Sequence, residues 1–270
     1  MRNRLTDELA VCGMNAALAV GEYHPETINR LFLREDRLQF FTGVCKQLAE
    51  RKRPYKICDD EEIERICKSV HHQGVVAMIE EPVIEPLALE DLDIWADEGK
   101  TGVLLHSVGN DHNLGAIARA AAFFDVSYIV LNEKDSSFYN EETNRNGLRL
   151  TTSAYRVAEG GFEHVTVRSI ANSAAFLKDA SKRLVTIGTD IKARRRITDL
   201  KDIVKSAQTK IARAGGRAGV ALVLGNEETG LPKEVKDQCT CLLRIPGTGN
   251  IDSLNVSQAS ALFLHTIFEI

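Results

Sequence analysis

The chain has 270 residues, of which 44% are hydrophobic and 27% charged, and its formal net charge is −4. These values are typical of a globular protein with one large or two modest domains. No run approaches the roughly eighteen apolar residues of a membrane-spanning helix, and the first residues lack the layout of a signal peptide, so we expect no membrane partner and a cytoplasmic location.

The six cysteines predict buried, reduced thiols. None of them forms a CxxC pair, and four lie among apolar residues in the first quarter of the chain. The adjacent pair His71 and His72 cannot converge on one ion, because neighbouring side chains point apart. The sequence therefore predicts no metal site.

The charge is distributed unevenly along the chain. Residues 1–87 hold 12 basic against 15 acidic side chains, residues 88–100 hold one against five, and residues 101–270 hold 21 against 18. The weak overall charge does not by itself indicate nucleic-acid binding, although a local basic face is compatible with it.

The first part of the chain is predicted to be a small α/β domain over residues 1–87. Helical spacing occurs over residues 27–50 and 60–70, and the apolar run over residues 74–80 predicts a strand. Two prolines and an acidic run mark a boundary, and we interpret residues 88–100 as an acidic linker.

Residues 101–270 are predicted to form a second, larger domain in which strands alternate with helices. The predicted strands lie at residues 102–108, 127–133, 164–169, 184–190, 219–227 and 241–246. The predicted helices lie at residues 113–124, 172–183, 197–214, 232–239 and 253–270. This alternation is typical of a parallel sheet covered on both faces, in which ligands bind at the carboxyl ends of the strands.

Three polar, glycine-containing loops follow predicted strands. They are HSVGNDHNLGAIAR (residues 106–119), LGNEETGLP (224–232) and IPGTGNIDSLNVS (245–257). A parallel sheet would bring such loops to one edge. None of them is a Walker loop or GxGxxG, which argues against a nicotinamide-dependent dehydrogenase.

Together these loops resemble the three motifs of the SpoU/TrmH group of RNA ribose 2′-O-methyltransferases. The matching segments are Asn113–Arg119, Gly225–Gly230 and Ile245–Ala259, in the family's order and at similar spacing. The resemblance covers residues 101–270, and CGMNAALAV and HHQGVVA are similar to the family's small RNA-binding substrate domain. It implies a trefoil-knotted parallel sheet, S-adenosylmethionine as cofactor, tRNA or rRNA as substrate, and a homodimer through the C-terminal domain that completes the active site.

The resemblance also implies roles for individual residues. The implied cofactor contacts are Leu224, Gly225, Ile245, Pro246, Gly249 and Leu254. The implied catalytic residues are Arg119, Asn113, Glu227, Asn255 and Ser257.

Some of these roles have alternatives. Because a guanidinium is a poor base at neutral pH, we expect Arg119 to position the target nucleotide unless the site strongly lowers its pKa. Glu227 is expected to pair with Asn113 or Arg119, or to hold loop amides. The alternative for the start of the last helix is that Ser253 is an N-cap and Asn255 a second capping group.

The candidate RNA contacts are basic side chains. Residues 191–217 contain nine basic against two acidic residues, including Arg194, Arg195 and Arg196 in a row. Arg145 and Arg149 belong to a polar stretch that borders the expected site, and residues 50–56 are a further basic segment. The alternative is that these charges form solvated faces.

The sequence is compatible with two functions. The first is an active RNA 2′-O-methyltransferase, and the second is a non-catalytic RNA-binding or ribosome-assembly protein that keeps the fold. The presence of all five implied catalytic residues favours the enzyme.

Overall fold

The computed structural model describes residues 8–133, 148–211 and 218–270. Its strands are β1 Glu8–Cys12, β2 Ile28–Leu33, β3 Tyr55–Ile57, β4 Val75–Glu80, β5 Thr101–Leu105, β6 Tyr128–Asn132, β7 Thr166–Ile170, β8 Val185–Thr189, β9 Arg195–Arg196, β10 Val220–Leu224 and β11 Cys241–Arg244. Its helices are α1 Met14–Tyr23, α2 Thr42–Glu50, α3 Asp60–Cys67, α4 Leu89–Asp97, α5 Asp111–Phe123, α6 Thr152–Ala158, α7 Ser173–Ala180, α8 Leu200–Ile211, α9 Lys233–Lys236 and α10 Val256–Phe268.

The first four strands form a sheet in the order β1-β4-β2-β3. The helix predicted to begin at residue 27 is wrong in its first part, because residues 28–33 form β2, which pairs antiparallel with β4. A 3-10 helix follows at Glu35–Phe40, and an α-helix begins only at Thr42. The sequence of β2 has apolar residues at both helical and alternating positions, and periodicity cannot separate a short strand from a helix. Pairing with β4 decides the outcome.

The remaining strands form a seven-stranded sheet in the order β7-β6-β5-β10-β8-β11-β9, and its paired strands are parallel. Successive residues of β5 belong to different cores: Val103 and Leu105 pack with α5 and α10, whereas Leu104 packs with α4 and α7. The prediction of a parallel sheet covered on both faces is therefore confirmed. The trefoil knot stays a prediction.

Residues 88–100, interpreted as a linker, include the helix α4. Its Trp95 is fully buried, stacks on Tyr128 with ring centroids 5.4 Å apart, and donates from Nε1 to the carbonyl of Val220. The preceding residues bind the edge of the large sheet, because Ser169 N donates to Glu85 O and Leu87 N donates to Ser169 O. This segment is packed on the large sheet, and the division into domains stays a prediction.

Within the described ranges, no helix is long and apolar enough to cross a membrane. The described residues also contain no group of three or more His, Cys, Asp or Glu side chains that could hold a metal ion. All six cysteines carry free thiols, and Cys239 is the one that is not fully buried.

Candidate active site

The three loops singled out in the sequence follow β5, β10 and β11 and lie at the carboxyl edge of the large sheet. Backbone and side-chain hydrogen bonds join the first loop to the second. His106 N donates to Leu224 O at 2.8 Å, and Asn226 Nδ2 donates to Ser107 O at 3.0 Å. The parallel order of the strands therefore brings the loops together, as the sequence predicted.

Four of the five predicted catalytic residues form one hydrogen-bonded chain. Asn113 Nδ2 donates to Glu227 Oε1, and Asn255 Nδ2 donates to Asn113 Oδ1 at 3.0 Å. Asn255 Oδ1 in turn accepts from Ser257 N at 2.8 Å and from Ser257 Oγ at 2.6 Å. These hydrogen bonds link residues of all three loops. Glu227 pairs with Asn113 rather than with Arg119.

Helix capping places both asparagines. Asn110 caps α5, since its Oδ1 accepts from His112 N at 2.8 Å, and this puts Asn113 in the first helical turn. Asn255 caps α10 through its side-chain oxygen. Asn255 therefore has both roles. Its side-chain oxygen caps α10, and its amide nitrogen donates to Asn113. Ser253 is not the N-cap residue of this helix.

Asn226, which the sequence analysis did not single out, shapes the second loop. Its Oδ1 accepts from the backbone amides of Glu228 at 2.9 Å and Thr229 at 3.0 Å. At Gly225 a Cβ would lie 2.5 Å from the carbonyl carbon of Gly230, so the loop closes against itself only without a side chain there. An asparagine two residues after a strand and four residues before a glycine is a signal for such a turn.

Arg119 stands apart from this chain of residues. It lies six residues after Asn113 on α5, about 9 Å further along the helix axis. Its exposed side chain pairs with Glu159 Oε1 at 3.1 Å, and Glu159 Oε2 also accepts from Asn15 Nδ2 at 3.1 Å. Arg119 is thus held at the contact between α5, the end of α6 and the start of α1.

The predicted cofactor residues combine backbone groups with two apolar side chains. Leu224 packs in the core, so only its backbone can face a ligand. Ile245 is half-buried and Leu254 is 40% exposed, while Pro246 and Gly249 lie on the exposed third loop. Backbone donors and acceptors beside an accessible apolar surface fit a nucleoside, whose flat base has apolar faces and a polar edge.

The three consecutive arginines lie at the far edge of the large sheet. Arg195 and Arg196 form β9, which pairs with Leu243 and Arg244 of β11. Arg194, like these two, is exposed. Since the third loop follows β11 directly, the arginines flank the expected cofactor site.

Asp190 builds the turn that leads to these arginines. Its Oδ1 accepts from Lys192 N at 2.9 Å, and its Oδ2 pairs with Lys236 Nζ at 2.8 Å. Burial acts to raise the pKa of Asp190, but the hydrogen bonds from Lys236 and the Lys192 amide outweigh it and hold the pKa below its usual value.

The other predicted RNA contacts within the described residues have polar or acidic partners. Arg149 pairs with Glu81 at 3.3 Å, both side chains being mostly buried, and Arg145 falls outside the described residues. In the basic segment 50–56, Arg53 donates to Asn29 Oδ1 at 2.8 Å and Lys56 pairs with Glu62 at 2.6 Å. Arg149 lies two residues before Thr151, whose Oγ1 donates to Asp111 Oδ2 of the first loop at 2.7 Å, so Arg149 and the arginines at residues 194–196 stay candidate RNA contacts.

Comparison with known proteins matches both parts of the chain. The SpoU rRNA Methylase family matches residues 100–265, and the family described as RNA 2′-O ribose methyltransferase substrate binding matches residues 10–83. The 23S rRNA (guanosine-2′-O-)-methyltransferase RlmB of Bordetella pertussis is 28% identical over 261 residues, covering 94% of each chain. The uncharacterized tRNA/rRNA methyltransferase YfiF of Escherichia coli O157:H7 is 27% identical, covering 98% of this chain and 69% of its own length.

Solved structures share the fold. The AdoMet-bound rRNA methyltransferase from Sinorhizobium meliloti superposes with a TM-score of 0.70 at 23% identity, covering 97% of this chain and 87% of that chain. The first family match spans more than half of the sequence and contains all three loops of the site. The chain therefore belongs to the SpoU rRNA methylase family.

Proposed function

We propose that this protein transfers a methyl group from S-adenosylmethionine to a ribose 2′-hydroxyl of ribosomal or transfer RNA. The observation that carries the proposal is the hydrogen-bonded chain from Glu227 through Asn113 and Asn255 to Ser257, at the ligand-binding edge of the sheet in a member of the SpoU family. The match of residues 10–83 to an RNA substrate-binding family supports RNA as the substrate.

The second and third loops would hold the cofactor. Backbone groups at Gly225 and Ile245–Gly249 bind the nucleoside, and Leu254 packs against it. When bound, the cofactor supplies an electrophilic methyl group on a sulfonium. The AdoMet bound in the S. meliloti structure supports this choice of cofactor.

Ser257 and Asn255 would position the ribose. The Ser257 hydroxyl donates to Asn255 Oδ1, which leaves the serine oxygen free to accept from the 2′-hydroxyl. Asn113, held between Glu227 and Asn255, fixes this orientation because its amide nitrogen donates to one partner and its amide oxygen accepts from the other.

Arg119 would act on the target nucleotide as a cation rather than as a base. A guanidinium stays protonated at neutral pH, and it binds phosphate or a developing alkoxide well. Glu159 restrains its orientation at 3.1 Å. In the proposed enzyme, release of Arg119 from Glu159 accompanies RNA binding.

The RNA would approach along the arginines at residues 194–196. These exposed cations flank the third loop, where a phosphate backbone must pass to place a ribose beside Ser257. RlmB of B. pertussis is named for 23S rRNA, which supports ribosomal RNA as the first substrate to test.

A homodimer through the C-terminal domain is part of the proposal, as is a cytoplasmic location. Its support is an exposed apolar surface on α5 and α10, where Phe123 is 79%, Phe268 59% and Leu262 46% exposed. Phe124 lies between them, with ring centroids 5.0 Å from Phe123 and 6.0 Å from Phe268. Such a cluster is typical of a surface that is covered in an assembly.

Methyl transfer tests the proposal directly. The protein is incubated with methyl-labelled S-adenosylmethionine and total RNA from cells that lack the gene, with Arg119→Ala and, as a control, Lys178→Ala on α7 alongside. We expect label in RNA as a 2′-O-methyl nucleotide from the wild type and from Lys178→Ala, and at least about a hundredfold less from Arg119→Ala. Cofactor and RNA binding without any labelled nucleotide would instead establish the non-catalytic RNA-binding protein.

A further inference from the structure

A cavity of about 380 Å³ lies between the small sheet and the large one. Residues of α1 and β4 line one side, and residues of α6 and the turn after it line the other. Most of the wall is apolar, including Val20, Ile79, Tyr155 and Phe162. Its volume lies within the range of small-molecule binding sites, about 300–1,000 Å³.

One buried carboxylate faces this cavity. The Glu163 side chain is 6% exposed, and its Oε2 lies 3.5 Å from His24 Nε2. Its Oε1 is buried and has no hydrogen-bond partner among the described residues. A buried carboxylate with an unpaired oxygen is costly, so a positive charge in the cavity beside Glu163 would stabilise it.

Close packing restricts the movement of the backbone segment that carries Glu163. It belongs to the short 3-10 helix Gly161–His164, which packs so closely on α5 that a Cβ at Gly161 would lie 2.8 Å from the carbonyl oxygen of Ala118. Tyr155 and Phe162 line the same cavity as Glu163, and burial and then the charge of Glu163 raise the pKa of the Tyr155 hydroxyl. The carboxylate is therefore fixed beside aromatic side chains.

The charge around the cavity selects against an anion. Glu80 and Glu81 line it together with Glu163, and Glu26 lies 3.4 Å from His24 at its edge. Arg149 offsets Glu81 at 3.3 Å. A phosphate backbone would meet a surplus of negative charge here, whereas a cation would be attracted.

We propose that this cavity binds a small organic cation, an ammonium or amidinium group on an apolar body, whose N–H donates to the Glu163 carboxylate. The apolar body lies against Tyr155 and Phe162, whose ring centroids are 5.0 Å apart. A bound cation connects the two sheets and stabilises their present orientation.

Calorimetric titration of the full chain with 2-phenylethylamine tests the proposal, with the neutral isostere 2-phenylethanol as the matched ligand. Near pH 8 we expect the amine to bind at least about tenfold more tightly than the alcohol, because only the amine pairs with the carboxylate. Glu163→Gln removes this difference, and Glu26→Gln, which changes a neighbouring carboxylate outside the cavity, keeps it. Equal binding of amine and alcohol, no binding of either, or an unchanged preference in Glu163→Gln would overturn the proposal.

Two further measurements need no variant. Burial raises the pKa of Glu163 to about 7, so the amine should bind about fivefold to tenfold more weakly near pH 6 than near pH 8. His24 and Glu26 are the other ionisable groups that act on this carboxyl, and the amine itself stays protonated throughout. Short RNA oligonucleotides should not displace the amine. Displacement by RNA would assign the cavity to the nucleic acid instead and overturn the proposal.

Discussion

The side chains of Asn113 and Asn255 are joined by a 3.0 Å hydrogen bond although 142 residues separate them. Each lies at the start of a helix, and each uses one end of its amide for this bond. Because Asn255 also caps α10, the start of the last helix and the first turn of α5 are fixed relative to each other by one side chain. The geometry of the site is thus coupled to helix capping.

Replacing Asn255 with Asp separates these two roles. The carboxylate still caps α10, but it puts an acceptor against Asn113 Oδ1 where a donor was. We expect methyl transfer to fall by about tenfold to a hundredfold, since the hydrogen bond that joins Asn255 to Asn113 is lost, while the unfolding free energy changes by about 1 kcal/mol or less.

The control for this variant is Asn172→Asp. Asn172 caps α7 in the same way, with its Oδ1 accepting from Ala175 N at 2.8 Å, but it takes no part in the site. It should leave the rate of methyl transfer unchanged. A comparable loss of rate in both variants would mean that helix stability, not the link to Asn113, limits the reaction.

A pair of glycine variants tests the second and third loops. Gly225→Ala places a Cβ 2.5 Å from the Gly230 backbone, whereas a Cβ at Gly247 would meet nothing within 4 Å. We expect Gly225→Ala to lower the unfolding free energy by about 1–3 kcal/mol and to weaken cofactor binding, because the loop must shift to accept the methyl group.

Gly247→Ala should change stability by less than about 0.5 kcal/mol, because the added methyl group meets open space. Thermal denaturation and titration with S-adenosylmethionine measure both variants. Cofactor affinity equal to the wild type in Gly225→Ala would contradict the assignment of the second loop to the cofactor.

The arginines beside the third loop should contribute to RNA affinity through charge. Arg196→Ala is expected to weaken RNA binding and to reduce the slope of log K against log salt concentration by about 0.7 to 1, the value for one lost phosphate contact. Fluorescence anisotropy with a labelled rRNA fragment at several salt concentrations measures the slope.

Lys178→Ala removes an exposed cation from α7 and serves as the control. It should leave the slope unchanged, because α7 packs on the face of the sheet that carries α4 rather than beside the third loop. If Arg196→Ala and Lys178→Ala alter the slope equally, RNA binding follows total charge and not this edge of the sheet.

The raised pKa of Glu163 predicts that the unfolding free energy depends on pH. Burial raises its pKa from 4.5 to about 7, so the folded state holds a proton that the unfolded state has lost between these values. The unfolding free energy should therefore fall as the pH rises from about 4.5 to 7, by at most about 3 kcal/mol from this group, and stay low above it.

Glu163→Gln should remove this fall and make the protein more stable than the wild type near pH 8, since no charge is buried. Chemical denaturation at several pH values measures both proteins. The same slope in the variant would show that other groups control the pH dependence.

The sequence predicted the large sheet well because its strands are continuous apolar runs between amphipathic helices, a pattern that buried parallel strands require. It failed at residues 28–33, where pairing with β4 rather than local pattern sets the structure. The contact between Asn113 and Asn255 joins residues whose motifs were visible. The pairs Arg119–Glu159 and His24–Glu163 were not predicted, because they form where α1 packs against the turn after α6. Packing between distant segments leaves no periodic signal in the sequence.

The two edge strands of the large sheet, β7 and β9, determine whether a strand of another molecule can pair with the sheet. Along β7, the backbone of Ser169 is already occupied by Glu85 and Leu87. At the opposite edge, β9 consists of only two residues, both arginines. A short, charged edge strand and a covered one are poor templates for a further strand. The fold thereby resists edge-to-edge aggregation, and any self-assembly is directed to its helical faces.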